Sequence, residues 1–329
     1  MIARARQQGA ALLLAMLTVT LVATLAATAL WQQWRGIEIE SAERARAQLS
    51  WVLTGALDWS RLILREDGRA GAVDHLSEPW ALPLSEARLS TFLAQDRDNN
   101  MQDTGEAFLS GRITDLQSRM NVLNLVEQGK RSEPAWQAFA KLFRLLGLPT
   151  TELTVLAEQL RLASAHKLPQ SQAALLPQRV VDLGRLGLSP ATLAELAPYI
   201  TVLPERTTVN LNTASAEVMY ANLPGIDFVQ AQQLVLKRAS SHFRSIDDIR
   251  RETGLPADYV DATQVGVATQ FFEVVGRLRI EQFITQERSL VERRGLATQV
   301  LWREREVLTE PPANPSAGRS GPPRIIRDT

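Results

Sequence analysis

The 329-residue chain contains no cysteine. Disulfides, thiolate nucleophiles and cysteine-rich metal centres are therefore excluded. Histidine is nearly as scarce: only His75, His166 and His242 could supply an imidazole. General acid–base chemistry has little to draw on, so no catalytic residue is expected. His75, in Val73-Asp74-His75-Leu76, is the one candidate worth naming, and it reads as a turn residue. A net charge is missing too. The 36 basic side chains balance 36 acidic ones, so no overall field draws the protein to DNA or to an acidic surface. The length allows one large or two ordinary domains.

What the chain does have is a single long apolar run. Ala10 to Trp31 contains no charge, proline or glycine. At about 1.5 Å per residue it spans roughly 33 Å, the thickness of a bilayer core. Arg4 and Arg6 precede it, and Trp31 and Trp34 follow. The positive-inside rule and the aromatic belt place the N-terminus in the cytoplasm and the bulk of the chain beyond the membrane. A cleaved secretory signal ending near Ala29 is the alternative, but its apolar core would be too long. Thr20, Thr24 and Thr28 recur at helical spacing beside Ala23 and Ala27. Such a face suits close helix packing in lipid, or the hydroxyls bond back to their own helix.

The leader MIARARQQG, joined directly to AALLLAMLTVTL, resembles a type IV prepilin signal. In that family the cut follows the glycine, here Gly9. The new N-terminus, here Ala10, is normally methylated, and the apolar helix stays with the mature protein. Most such pilins carry glutamate at the fifth mature position, which here is Leu14. A carboxylate in the membrane costs a few kcal/mol. Pairing with the free amine of the neighbour nearer the tip offsets that cost. A subunit with no neighbour above it has nothing to pair with, so Leu14 predicts a tip subunit, and an ordinary membrane anchor would carry leucine there as well.

Beyond the membrane, the helical pattern continues from Ile37 to about Arg65. Ala45, Leu49, Val52, Ala56 and Ile63 lie near one face, and Asp67-Gly68 with Gly71 should end it. Residues 72–88 read as a loop broken by Pro79 and Pro83, with strands at about 88–95 and 106–115. The loop between those strands places Asp96, Asp98 and Asn100 like the first calcium ligands of an EF-hand. Met101 stands where glycine is required and Ala107 where the bidentate glutamate belongs, so a solvated turn is expected. Residues 116–268 read as almost entirely helical, and LGLPTTELTVLA (from Leu146) is echoed by LGLSPATLAELA (from Leu186). Period two then returns. Phe272, Val274, Leu278 and Ile280 oppose Glu273, Arg277, Arg279 and Glu281, and two more strands follow with a turn at Gly295. The Pro-, Gly- and Ser-rich tail after Thr309 is expected to be disordered. One sheet interrupted by a helical insertion is the economical reading, an α+β fold.

The strongest soluble motif runs from Val209 to Arg238. Its core, Leu223-Pro224-Gly225-Ile226-Asp227 with Ala231 and Leu234, resembles a helix-hairpin-helix, a module that holds nucleic-acid backbone on hairpin amides. Asp227 replaces the second hairpin glycine and would repel a phosphate. Asp247 and Asp248 offset Lys237, Arg238 and Arg244. A hairpin used for packing is expected, and no nucleic-acid partner.

Together the leader, Leu14, AVDHLSEPWALPL, ITDLQSRMNVLNLV, VNLNTAS and FRSIDDI resemble the K-type minor pseudopilins of type II secretion, from Arg6 to about Arg305. The resemblance implies a type IV pilin-like fold: a long N-terminal helix and an antiparallel sheet, with a large helical domain of SAM or helix-hairpin-helix character inserted. It divides the chain into leader (1–9), membrane helix (10–31), its periplasmic extension (32–66), first sheet part (67–115), helical insertion (116–268), second sheet part (269–308) and tail (309–329). It also implies a single-pass inner-membrane protein, periplasmic in bulk, that forms the pseudopilus tip with I- and J-type minor pseudopilins. The H-type subunit, the major G-type subunit and prepilin peptidase are further implied partners. Relatives carry an aspartate-rich calcium segment in the helical domain. The corresponding stretch here, from Leu156 to Gln178, has no aspartate, so no calcium or other cofactor is expected there. A membrane-anchored nucleic-acid binder is the alternative function, and an anchored enzyme the third.

Overall fold

The computed structural model describes residues 4–89, 107–165, 175–280 and 283–309. The EF-hand-like positions Asp96, Asp98, Asn100 and Met101, and the tail beyond Thr309, lie outside these. The chain divides into two units, residues 1–55 and 56–329.

The first unit is helical and belongs to α1, which runs from Arg4 to Ala70. No proline occurs before Pro79, so nothing in the sequence removes a backbone donor along this helix. Among the described residues, Ala10–Ser41, with mean hydropathy 2.3, is the one helical stretch long and apolar enough to cross a membrane. Thr20, Thr24 and Thr28 donate to the carbonyls of Leu17, Leu21 and Leu25 at 2.8–2.9 Å. These hydroxyls thus bond back to their own helix.

In the second unit α1 continues through Asp67-Gly68 and ends only before Gly71. Gly68 does not break the helix. It permits a close approach, because a Cβ there would lie 2.8 Å from the Gly295 carbonyl oxygen. Leu57 and Leu64, seven residues apart, form the buried line, with Val52, Ala56 and Ile63 flanking it half-buried. Leu57, Leu64 and the half-buried Ile63 pack with Trp80, Phe272, Val274 and Val291.

The sheet has five antiparallel strands in the order β1-β2-β9-β10-β11. These are β1 (Leu84–Arg88), β2 (Ala107–Asp115), β9 (Phe271–Ile280), β10 (Phe283–Arg294) and β11 (Ala297–Thr309). This first strand lies within the segment read as loop, and most of the strand expected at 88–95 falls outside the described residues. Pro83 stands just ahead of it, where the missing N–H removes no ladder bond. Gly295, at φ +60°, makes the β10–β11 turn.

The sequence pattern predicts that the Glu273 side of β9 faces solvent. Instead Phe271 and Leu290 pack under Leu116 and Leu203 of the insertion, and Glu273 is buried, paired with Arg288 at 2.5 Å.

The insertion leaves the sheet after Asp115 and rejoins it at Phe271, between strands that pair directly, Asp115 opposite Phe272. It contains α2 (Glu133–Leu145), α3 (Thr150–Ala165), α4 (Pro190–Leu196), α5 (Ala216–Asn222), α6 (Phe228–Ser240) and α7 (Ile246–Thr253). It is less purely helical than its sequence suggests. Two-residue parallel pairs tie β3 (Met120–Asn121) to β6 (Ile200–Thr201) and β7 (Val209–Asn210) to β8 (Val265–Gly266). Strands β4 (Val126–Glu127) and β5 (Lys130–Arg131) form a small hairpin. Phe139, Leu142, Leu156, Leu160, Met219 and Leu223 contribute to one core.

The two Leu-Gly-Leu echoes are equivalent turns. Gly147 (φ +69°) and Gly187 (φ +104°) each sit in the left-handed region before the next helix starts. The copies also touch, since the Ser189 N–H donates to Glu152 at 2.9 Å.

Candidate functional site

Three sequence motifs far apart in the chain converge where the insertion joins the sheet. Asp115, of the ITDLQ segment, ends β2 and is buried. One carboxylate oxygen accepts from the Gln117 N–H at 2.7 Å. The other accepts from Thr213 Oγ1 at 2.5 Å, Thr269 Oγ1 at 2.7 Å and Asn210 Nδ2 at 3.0 Å. Asn210 and Thr213 come from VNLNTAS, so this motif clasps the last residue of the strand from which the insertion departs. The same Asn210 Nδ2 lies 3.1 Å from the Asp74 carbonyl oxygen. Asn212, two residues on, pairs reciprocally with the backbone of Phe243, in the segment leading to FRSIDDI, at 2.8 and 2.9 Å.

Asp74, of AVDHL, is the second buried carboxylate. It accepts from the Thr269 N–H at 2.7 Å and from Arg293 Nη2. Arg293, on β10, also donates to Asp67 at 2.5 Å and to the Leu64 carbonyl at 3.3 Å, over the Phe272 ring. One guanidinium thus links α1, the loop after it and the sheet. Burial pushes Asp74 up to about 7, against the pull of Arg293 and the Thr269 amide. Burial disfavours the Arg293 cation as well, but Asp74 and Asp67 outweigh it and hold it charged. Burial also raises Asp115, opposed by its hydroxyl and amide donors. Asp67, Asp74 and Glu78 bring oxygens within 4.8 Å of one another. Arg293 already binds two of the three.

Pro224, Gly225, Ile226 and Asp227 form the turn between α5 and α6. Gly225 has φ +90°, and a Cβ there would press on Leu255 and Tyr259 at 3.0 Å. Ile226 is buried. Asp227 caps α6 in a reciprocal box: Gln230 N donates to Asp227 at 2.7 Å, and Asp227 N donates to the Gln230 side chain at 2.8 Å. The amides of Asp227 and Gln230 are therefore filled by the protein's own side chains. On the carbonyl side, Lys141 Nζ donates to Leu223 O at 3.0 Å and Ile226 O at 3.3 Å, 3.9 Å from the Tyr220 ring centroid. Burial lowers Lys141 to about 8. The motif packs the insertion together.

Gly9, Ala10 and Leu14 all lie within α1, and Ala10 and Leu14 are exposed. His75 sits in a turn, its Nδ1 accepting from the Ser77 N–H at 3.3 Å. Sequence reasoning missed its partner: the His242 ring stacks on it at 3.8 Å. It also missed Arg293. The available signal was strand parity, which puts Arg293 on the inward face of β10 with Val291 and so demands a buried acid.

A helix able to cross a membrane, an antiparallel sheet and a helical domain inserted between paired strands define a pilin-like fold with a helical insertion. Residues 118–205 and 209–269 each match the family described as type II secretion system (T2SS), protein K. Type II secretion system protein K of Pseudomonas aeruginosa is 27% identical over 302 residues, covering 84% of this chain and 86% of that protein. The Pectobacterium carotovorum protein K is 26% identical over 339 residues, covering 92% and 97%. A chain of the GspK–GspI–GspJ complex crystal structure from enterotoxigenic Escherichia coli superposes with TM-score 0.62 at 17% identity, covering 80% of this chain and 98% of that one. Over residues 118–205 and 209–269, and in its fold, the chain is similar to protein K of type II secretion, the K-type minor pseudopilin.

Proposed function

We propose that this protein is the tip subunit of a type II secretion pseudopilus, a structural part without chemistry of its own. The leader is removed after Gly9 by prepilin peptidase, and Ala10 becomes the methylated N-terminus. Before assembly α1 anchors the protein once in the inner membrane, with the leader cytoplasmic and the bulk periplasmic. The carrying observation is α1 itself, unbroken from Arg4 to Ala70, with Leu14 at the fifth position after Gly9. Leucine there leaves no buried carboxylate in need of a partner above, which suits the first subunit of a filament.

Similarity to type II secretion system protein K and likeness to a chain of the GspK–GspI–GspJ complex support partnership with I- and J-type minor pseudopilins. H- and G-type subunits would follow below, the G-type filament being primed by the completed tip. The test is Gly9→Leu with co-expressed I- and J-type subunits. The expected result is retention of the leader, loss of secretion and, for the unmutated chain, a mature protein beginning at Ala10 that co-purifies with both partners. Normal processing of Gly9→Leu sinks the leader assignment. Failure of the unmutated chain to co-purify with either partner at micromolar concentration sinks the tip assignment.

A further inference from the structure

The His75–His242 stack bridges two parts of the second unit that meet nowhere in sequence. His75 lies in the loop between α1 and β1, and His242 between α6 and α7 of the insertion. Their rings are 3.8 Å apart and inclined by only 12°. The geometry favours uncharged rings. His75 Nδ1 accepts from the Ser77 N–H, so this nitrogen carries no proton and the neutral ring holds its proton on Nε2. A second proton would have to go to Nδ1 and break that bond.

The facing groups can compensate one positive charge but not two. Glu78 Oε1 lies 3.8 Å from His75 Nε2, yet Glu78 is committed through Oε2 to the His75 N–H and to Trp80 Nε1. Asp67 on α1 also acts on His75, but Arg293 on β10 binds it. On the insertion side, Arg244 adds a further positive charge beside His242.

We propose that the His75–His242 stack is an acid-released latch between the sheet and the helical insertion. When both rings are protonated, two like charges face each other at stacking distance and the seam opens. The buried clasp around Asp115 does not depend on this pair, so the insertion loosens without unfolding. Burial lowers both histidines, which moves release toward lower pH. Asp74, adjacent to His75, also titrates near neutrality. Its protonation is common to the native chain and to histidine variants, so a comparison between them isolates the rings. The proposal does not depend on a tip location.

The experiment is hydrogen exchange on the full chain in detergent micelles from pH 7.5 to 5, corrected for the intrinsic pH dependence of exchange. The native chain should lose about tenfold protection in residues 71–78 and 240–246 on acidification, while His242→Phe, which keeps a stacked ring, should not. Proton NMR of histidine-labelled protein gives a second readout: His242→Phe should raise the midpoint of His75. If circular dichroism shows that His242→Phe does not fold, His75→Phe replaces it, with the midpoint of His242 followed instead. Undiminished protection in the native chain down to pH 5, or equal loss in native chain and variant, overturns the latch.

Discussion

The hydroxyl of Thr213 donates to the carboxylate of Asp115 over 2.5 Å, although the two residues are 98 positions apart in the chain. Asp115 ends the strand from which the insertion departs, and Thr213 lies deep within that insertion. Their bond, with those of Asn210 and Thr269, fixes the insertion to its point of origin. Thr213→Val removes one donor and leaves the buried oxygen two others, so a loss of about 1 kcal/mol is expected. Asp115→Ala strands Thr213, Thr269 and Asn210 together and should cost about 3 kcal/mol or more. Urea denaturation of the full chain in detergent micelles measures both. Equal effects would mean that the donors do not act on a shared acceptor.

Arg293 is more exposed to damage by substitution than any of its partners. Arg293→Met leaves Asp67 and Asp74 facing each other in a buried site, and breaking a pair of this kind costs about 3–5 kcal/mol. Asp74→Asn should cost less, because Arg293 keeps Asp67. The ranking is read from urea midpoints of the two variants. A smaller loss in Arg293→Met than in Asp74→Asn would contradict the bridging role.

The raised value of Asp74 fixes the sign of a pH effect. Between the unfolded value of 3.8 and the folded value of about 7, the native state holds a proton that the unfolded chain has released. The contribution of Asp74 to stability therefore falls as pH rises through this window. Asp74→Asn abolishes the titration and should flatten the slope by up to about one proton. Stability curves for native and variant chains, measured from pH 4 to 7.5, should diverge in this direction and not the opposite one.

Two glycines in α1 should respond oppositely to alanine. Gly55 has open space where a Cβ would go, so Gly55→Ala should stabilise by about 0.5–1 kcal/mol through helix propensity. Gly68 abuts the Gly295 carbonyl, and Gly68→Ala should cost about 1–3 kcal/mol through overpacking. Thermal unfolding of both variants gives the comparison, and a gain from Gly68→Ala would refute the close approach.

Lys141 holds the hairpin carbonyls of Leu223 and Ile226. Lys141→Met keeps the stem and removes the donors, with an expected loss of about 1–2 kcal/mol. Hydrogen exchange should place the loss of protection around residues 223–230. Unchanged protection there would mean that the amine is not needed by the turn.

The elements of this fold were largely legible because each is written in local periodicity. The apolar run from Ala10, the alternation after Phe271 and the turn at Gly295 all follow from backbone geometry repeated along the chain. The strand Leu84–Arg88 went unread because it alternates weakly and follows Pro83, a loop signal in isolation. Glu273 misled for a different reason: strand alternation says which residues share a face, not what later covers that face.

The sequence by itself determined a membrane-length helix, a sheet split by a helical insertion, and the motifs that carry the family resemblance. It named Asp74, Asp115, Asn210 and Thr213 only as letters within those motifs. Tertiary structure alone decided that they meet, that Arg293 joins Asp67 to Asp74, and that His75 rests on His242. The physical reason is distance along the chain. Local pattern reports which side chains are removed from water, but a buried charge is satisfied by whichever partner the fold brings near, and for Arg293 the partner Asp67 lies 226 residues away.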